Sequence, residues 1–396
     1  MKTKITIPAF IIMLLFLSVL LIFPADKESV LKENREPANL PSPSVQNIFS
    51  GKFASGFEKY LSDNIGFRGK MIAVSNNIDK FKGIKSFGYI TKANGDLGTG
   101  NTVTDKGLLV ANDKIMEVFK ANPEAKKHYI ELINYYAARL PSNIKFYNMI
   151  IPTQIEFQKK EYAGLADSQK KTIDSIYSKE NSRVISVDAY DVLKEHTNEY
   201  IYFRTDHHWT TRGAYYAYVA FCRAAGSTYV NINDFQENKM DGFLGYLYNQ
   251  AKATELKDKP DTIYYYTNGN NFTTYAKEWK DDGSVRDYKG LVFNIPNPGE
   301  EVKYSLFMGG DHPFLYIPTN AKNGKTIVVI KDSYANAFLP WLVNNYEYVL
   351  VIDPRSYKGN IQSVLNEYKV TDVLIINYSF STTFEDIIAA EKEIYK

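Results

Sequence analysis

Four short runs of β-branched and aliphatic residues restrict the fold of this chain more than any other feature: RVISVD (183–188), TIVVIKDS (326–333), YVLVID (348–353) and DVLIINYS (372–379). They are continuously apolar rather than alternating, so each reads as a strand buried on both faces, and the segments between them are long enough for helices. Such strands alternating with helices predict an α/β fold of three layers, a parallel sheet with helices on both faces. A further strand, IKFYNMIIP, follows a segment from 113 to 140 in which Tyr129, Leu132, Ile133, Tyr136 and Leu140 recur at helical spacing. Between about 226 and 310 the composition shifts to Tyr, Asn, Thr and Gly, and DTIYYYTNGNNFTTYAK reads as short antiparallel strands and turns, a β-rich insertion or small subdomain on the core.

The chain opens MKTKITIPAFIIMLLFLSVLLIFPADKES, in which Lys2 and Lys4 precede an uncharged run from Ile5 to Phe23. As a helix that run spans roughly the ~30 Å hydrocarbon core of a bilayer. Its length and the lack of a clean small-x-small cleavage site favour an uncleaved signal anchor over residues 1–24 rather than a signal peptide. Positive charge before the run places the rest of the chain on the extracytoplasmic side of the cell membrane, held by a single pass. Residues 25–47 mix charge with Pro and Ser and read as a tether, so one folded domain is expected over 48–396. Cys222 is the only cysteine, which excludes an intrachain disulfide, and its apolar surroundings predict a buried side chain. The balance of 47 Lys+Arg against 45 Asp+Glu, with no dense basic block, leaves no electrostatic footprint for nucleic acid.

In an open α/β sheet, functional groups gather where strands end and loops begin. TIVVIKDSYANAFLPWL has that form, with Asp332 and Ser333 at a strand-to-helix turn. There a serine hydroxyl is exposed beside a helix N-terminus able to stabilise a developing oxyanion. The same residues also suit a plain helix cap. The stretch YFRTDHHWTTRGAYYAY (202–218) favours chemistry, because it places two of the five His directly after an Asp. A nucleophilic serine needs a base, and the base needs an orienting carboxylate. In an extended segment Asp206 and His208, two apart, project to the same side while His207 points elsewhere.

A second Asp-His pair, Asp311 and His312, follows Gly309 and Gly310. Two such pairs would fit zinc or manganese, but no His-x-x-x-His or cysteine cluster accompanies them, and a metal would leave Ser333 without a role. Neither metal nor cofactor is therefore expected. Aromatic residues make up 14% of the chain, and Trp209, Trp279 and Trp341 are candidate platforms for sugar stacking, with core filling as the alternative.

With these residues in place, the sequence resembles the DHHW family, related to the alginate O-acetyltransferase proteins that carry an SGNH-hydrolase-like domain. The resemblance rests on TDHHWTTRGAYYAY, DGFLGYLYNQA (241–251), LFMGGDHPF (306–314), VVIKDSYANAFLPWL (328–342) and VIDPRSY (351–357), with YLSDNIGFRGKMI (60–72) upstream. It implies a permuted, flavodoxin-like sheet and a triad of Ser333 as nucleophile, His208 as base and Asp206 as orienting carboxylate. Ser333 and its neighbours imply an oxyanion hole, for which Gly310 and Asn336 are candidates. His207, Trp209, Arg204, Asp311 and His312 are candidate substrate-binding residues. Two departures stand out: the variable position of the Asp-x-His motif is His207, and the usual Gly before Asp-Ser is Lys331. The activity implied is transfer of an acetyl group to a polysaccharide hydroxyl, in partnership with a polytopic membrane-bound O-acyltransferase. An esterase using water, or a non-catalytic glycan-binding assembly subunit, would carry the same residues.

Overall fold

The computed structural model describes residues 38–43, 52–64, 66, 102–103, 107–111, 113–158, 165–251, 253, 256–279 and 284–395. The expected signal anchor (1–24) and most of the expected tether lie outside the described residues. Among the described residues no helix is long and apolar enough to cross a membrane. The chain divides into two compact units, Met1–Tyr89 with Val103–Lys106, and Ile90–Thr102 with Gly107–Lys396. In the first, a helix spans Lys52–Asn64, and its buried Asp63 accepts the Ala38 N–H at 3.0 Å.

The second unit holds an eight-stranded sheet whose strands are, in chain order, β1 (Lys145–Ile151), β2 (Val184–Val187), β3 (Thr273–Trp279), β4 (Val285–Leu291), β5 (Phe314–Pro318), β6 (Thr326–Lys331), β7 (Tyr348–Ile352) and β8 (Asp372–Tyr378). Its spatial order is β2-β1-β8-β6-β7-β5-β3-β4. The first five strands in that order are parallel, and β5, β3 and β4 extend the edge antiparallel. The fold is thus mixed α/β with a large sheet. For β6, β7 and β8 the continuous apolar runs have the physical cause expected of them, because successive residues serve opposite cores. By contrast, β2 lies at the sheet edge and is only half-buried over Val184, Ile185 and Ser186. Ile327, Val329, Val349 and Val351 face one core while Val328, Ile330, Leu350 and Ile352 face the other. Burying each such side chain stabilises the fold by about 1.5–3 kcal/mol.

The 226–310 stretch does two things. One hairpin, Gln236–Phe243 with Asp261–Thr267, stands as its own two-stranded sheet, whereas β3 and β4 join the main sheet through β5. A difference from the sequence reading occurs at 113–140. The helix there, α1 (Pro123–Arg139), begins ten residues later than 113, and Lys114–Glu117 is a strand paired with Leu108–Ala111. Asn122 caps α1 by accepting the Ala125 N–H, and Pro123 occupies its first turn, where a missing N–H costs nothing.

Helices α2 (Gln169–Tyr177), α3 (Ala189–Glu195), α4 (Thr211–Ala225), α5 (Ala335–Leu342), α6 (Ile361–Glu367) and α7 (Glu385–Glu393) complete the two outer layers. For the site, α4 and α5 matter most, and they pack against each other. Thr210 caps α4 through the Gly213 N–H, and Gly226 closes it in the left-handed conformation at φ 64°. A Cβ at Gly213 would meet the Ile201 carbonyl oxygen at 2.4 Å, so only glycine lets the first turn of α4 lie this close to the Ile201 backbone. Cys222 is buried on α4.

Candidate active site

Strand β6 ends at Lys331, and the chain turns through Asp332, Ser333 and Tyr334 into α5. Asp332 shapes the turn. Its buried carboxylate accepts the Tyr334 N–H at 3.0 Å, the Tyr378 N–H at 2.8 Å and the Ser381 hydroxyl at 2.8 Å. Burial raises its pKa, and those donors offset only part of the rise. Ser333 is left partly exposed, and among the described residues no acceptor takes its backbone N–H.

The Asp-His-His-Trp block is the tip of a hairpin. Thr210 donates to the Ile201 carbonyl, Phe203 to that of His208, and Tyr202 bridges Trp209. The tip is anchored from below by Asp261, which is fully buried and accepts the Arg204 N–H, the Thr205 N–H at 2.7 Å and the Thr205 hydroxyl at 2.5 Å. The segment is therefore turned rather than extended as expected, and Asp206 meets His208 through a local turn. One oxygen, Oδ1, accepts both the His208 N–H at 2.9 Å and His208 Nδ1 at 2.6 Å, while Oδ2 accepts the Tyr246 N–H at 2.7 Å. Burial would raise the Asp206 pKa, but the charges of His208 and His207 and the bonds from His208 outweigh it and hold the carboxyl well below its usual range.

At its other end the His208 ring completes the line, with Nε2 2.7 Å from Ser333 Oγ. Two hydrogen bonds thus join Asp206, His208 and Ser333, from residues 125 apart in the chain. His207 does not enter that line. Its Nδ1 is buried without a partner, 3.8 Å from Asp206 Oδ1, and its ring packs on His208, Tyr246, Tyr334 and Tyr378. Burial, then the charge of His208, lowers its pKa.

Asp206, His207 and His208 bring ligand-type atoms within 4.8 Å of one another. Two ligands of one tetrahedral zinc, each about 2.0–2.1 Å from the metal, would stand roughly 3.3 Å apart. At 2.6 Å, Asp206 and His208 are spaced as hydrogen-bond partners.

The remaining candidates are placed differently. Trp209 is completely buried and donates its indole N–H to the Tyr334 carbonyl at 2.8 Å; Trp341, also buried, donates to that of Thr211 at 3.1 Å. Neither offers a face to a sugar, so the expectation of stacking platforms is corrected for both: a buried indole serves packing and one fixed hydrogen bond. The Trp279 side chain lies outside the described residues. Gly310 is corrected too, because its N–H is already donated to the Phe307 carbonyl at 3.1 Å and is not free for an oxyanion. Asn336 is buried with one amide hydrogen on Asp311 at 2.9 Å, which leaves a second amide hydrogen. Arg204 is committed to Asp261 and to the Pro260 carbonyl, where it braces the hairpin tip.

Asp311 belongs to an ion cluster rather than to the triad line. The Lys331 ammonium, buried at the end of β6, lies 2.5 Å from Asp311 and 3.4 Å from Asp353, and Arg355 reaches both carboxylates. Those two cations overcome the effect of burial and hold the Asp311 carboxyl far below its usual range. His312 beside it has its pKa lowered by burial and by Lys331. The Lys that replaces the usual Gly thus ties the DPRSY segment and the loop of Met308, Gly309 and Gly310, all at positive φ, to the strand end before Ser333.

Several residues escaped sequence reasoning. Gly245 is one: a Cβ there would sit 2.3 Å from that of Asp206, so its place in the DGFLG motif was the available signal. Asp261 and Glu117 gave none. Glu117, at the end of the Lys114–Glu117 strand, has a buried Oε2 without a partner, and its pKa is raised chiefly by burial, with opposing effects from His207 and Asp206. A cleft of about 630 Å³ is lined by Glu199, Tyr200, Arg204, Arg212 and Tyr264 among others, but by neither His208 nor Ser333.

The family described as DHHW protein matches residues 89–352 of this chain. A crystal structure of a DHHW family protein from Eubacterium siraeum is 30% identical and superposes with a TM-score of 0.68, covering 76% of this chain and 99% of that one. Bacillus cereus PatB1 is 19% identical with a TM-score of 0.59, over 71% of this chain and 98% of its own, and is also known with a sulfonyl adduct. No curated protein matches. By the matched segment and the likeness to the Eubacterium siraeum protein, the chain belongs to the DHHW family.

Proposed function

We propose that this protein is an extracytoplasmic O-acetyltransferase that moves an acetyl group through Ser333 onto a hydroxyl of a cell-surface or secreted polysaccharide. The observation that carries the reading is the unbroken line Asp206–His208–Ser333, at 2.6 and 2.7 Å, in a partly exposed strand-to-helix turn. Family membership and the motifs that resemble alginate O-acetyltransferases support the choice of acetyl as the group moved.

In the first half-reaction Ser333 Oγ attacks the acetyl carbonyl as His208 Nε2 takes its proton, and the leaving group departs with that proton, giving an acetyl-serine. In the second, a sugar hydroxyl gives its proton to His208 and attacks the same carbonyl; the C–O bond to Ser333 breaks, and His208 returns the proton to Oγ. Asp206, ionised throughout, holds the imidazole by Nδ1 and stabilises it while protonated. The unengaged Ser333 N–H, beside the start of α5, suits the oxyanion. The donor is an acetylated carrier or a polytopic membrane O-acyltransferase, with the N-terminal segment as membrane anchor.

The test uses the purified chain with a chromogenic acetyl ester, with and without oligosaccharide acceptors, and follows acetate and acetyl-sugar by mass spectrometry. Ser333→Ala and His208→Ala should each lower turnover by about 10⁴-fold or more, and a sulfonyl fluoride should label Ser333. Acetyl-sugar formed only with Ser333 present supports transfer, whereas acetate alone in the presence of acceptor points to an esterase. Full activity in both variants would remove the triad from the mechanism.

A further inference from the structure

The two hydrogen bonds of His208, with its Cβ–Cγ bond, set the line and plane of the imidazole but leave its faces open. A third contact covers one face. The ring of Tyr304 lies parallel to that of His208, with centroids 3.8 Å apart and planes inclined by 9°. Tyr304 is itself wedged by the edges of Phe203 and Phe307, at 6.3 and 5.3 Å, and its hydroxyl points to the Tyr334 carbonyl at 3.4 Å. That carbonyl also takes the Trp209 indole, so Tyr304 reaches from the ring of the base to the turn that carries the nucleophile.

We infer that Tyr304 is a positioning residue for His208: its ring braces one face of the imidazole against displacement, and its π face favours the protonated ring present while Ser333 Oγ is attacking. This rests on the triad reading above. Burial keeps the Tyr304 phenol protonated, so a neutral π face is what His208 meets. The other groups around the imidazole are Asp206 and His207 on its own hairpin and Ser333 and Tyr334 on the turn, with Glu117, Asp311 and Asp332 acting on those neighbours. Of these, Tyr304 alone lies parallel to the imidazole in the described contacts.

The experiment is an NMR titration of the histidine rings in the full chain, for the wild type, Tyr304→Phe and Tyr304→Leu, with Tyr304→Met replacing Leu where Leu does not fold. Loss of the π face should lower the His208 midpoint by about half to one pH unit, while Phe should keep the wild-type midpoint. With a chromogenic acetyl ester, the acid limb of kcat/KM should move down by the same interval in Leu or Met, with kcat reduced about tenfold, and Phe should restore both. A midpoint unchanged in Leu or Met, or shifted equally in Phe, would overturn the assignment. Ester cleavage that does not depend on Ser333 would defeat the proposed function instead, and the ring titration would still decide the role of Tyr304.

Discussion

The indole nitrogen of Trp209 lies 2.8 Å from the carbonyl oxygen of Tyr334, so the residue after the candidate base is bonded to the residue after the candidate nucleophile. Both partners are fully buried, and the bond replaces solvent for each of them. Trp209→Phe keeps an aromatic ring but leaves that carbonyl without its strongest donor. The expected cost is about 1–3 kcal/mol in stability, together with a fall of ten- to a hundred-fold in ester turnover as the base and serine lose register. Denaturant unfolding alongside steady-state kinetics separates the two effects.

Among the described glycines, Gly245 leaves the least room beside the candidate triad. An added methyl would stand 2.3 Å from Asp206 Cβ and 2.5 Å from its Oδ2, and the carboxylate is bonded on both sides and has nowhere to go. Gly245→Ala should therefore displace Asp206, costing about 1–3 kcal/mol of stability and at least a hundred-fold in kcat. Gly226→Ala, a substitution in the left-handed cap of α4 with open space around it, should lower stability and leave kcat within about twofold.

Lys331 is buried between carboxylates. Lys331→Met would leave Asp353 facing only Arg355, and breaking a buried pair by removing one partner costs about 3–5 kcal/mol. Asp353→Asn added to Lys331→Met should recover part of the loss. A double variant no more stable than Lys331→Met, measured by thermal unfolding, would show that the cluster does not act as a charge pair.

Glu391 on α7 predicts a pH dependence that does not involve the candidate site. Its carboxyl is completely buried, one oxygen accepts Asn377 at 2.8 Å, the other has no partner, and burial raises its pKa from 4.5 to about 8. The folded state therefore holds this proton more tightly than the unfolded state. Its contribution is most favourable below the unfolded value and declines as pH rises towards the folded one, by up to about 1.4 kcal/mol per unit. The melting temperature should fall between about pH 5 and pH 8, and Glu391→Gln should flatten that fall. A variant with the wild-type slope would place the ionisation elsewhere.

How much of this could be read from the sequence follows from where each residue takes its meaning. The strands were legible because a strand buried on both faces needs an apolar side chain at every step, and β6, β7 and β8 fall within the runs at 326–333, 348–353 and 372–379. Asp206, His208 and Ser333 were legible because an Asp-His block and a strand-end Ser each look costly without a role. Asp261 was not, since DKPDT reads as a solvated charged turn until the hairpin tip is seen resting on it. Tyr304 was one tyrosine among 31, and only its stacking on His208 distinguishes it. Of the tryptophans offered as stacking platforms on the strength of the aromatic content, Trp209 and Trp341 proved to be the core-filling alternative, each buried with its indole N–H on a backbone carbonyl.

The last strand of the sheet lies not at its edge but between β1 and β6. β1 and the serine turn precede β8 in the chain, so until β8 is added no strand joins β1 to β6. During that interval Asp332 lacks both Tyr378 and Ser381, and the turn bearing Ser333 is unsupported on that side. The turn that carries Ser333 is therefore completed only once Asp372–Tyr378 and Ser381 have been added, and a chain interrupted ahead of residue 372 would lack both of these supports of Asp332.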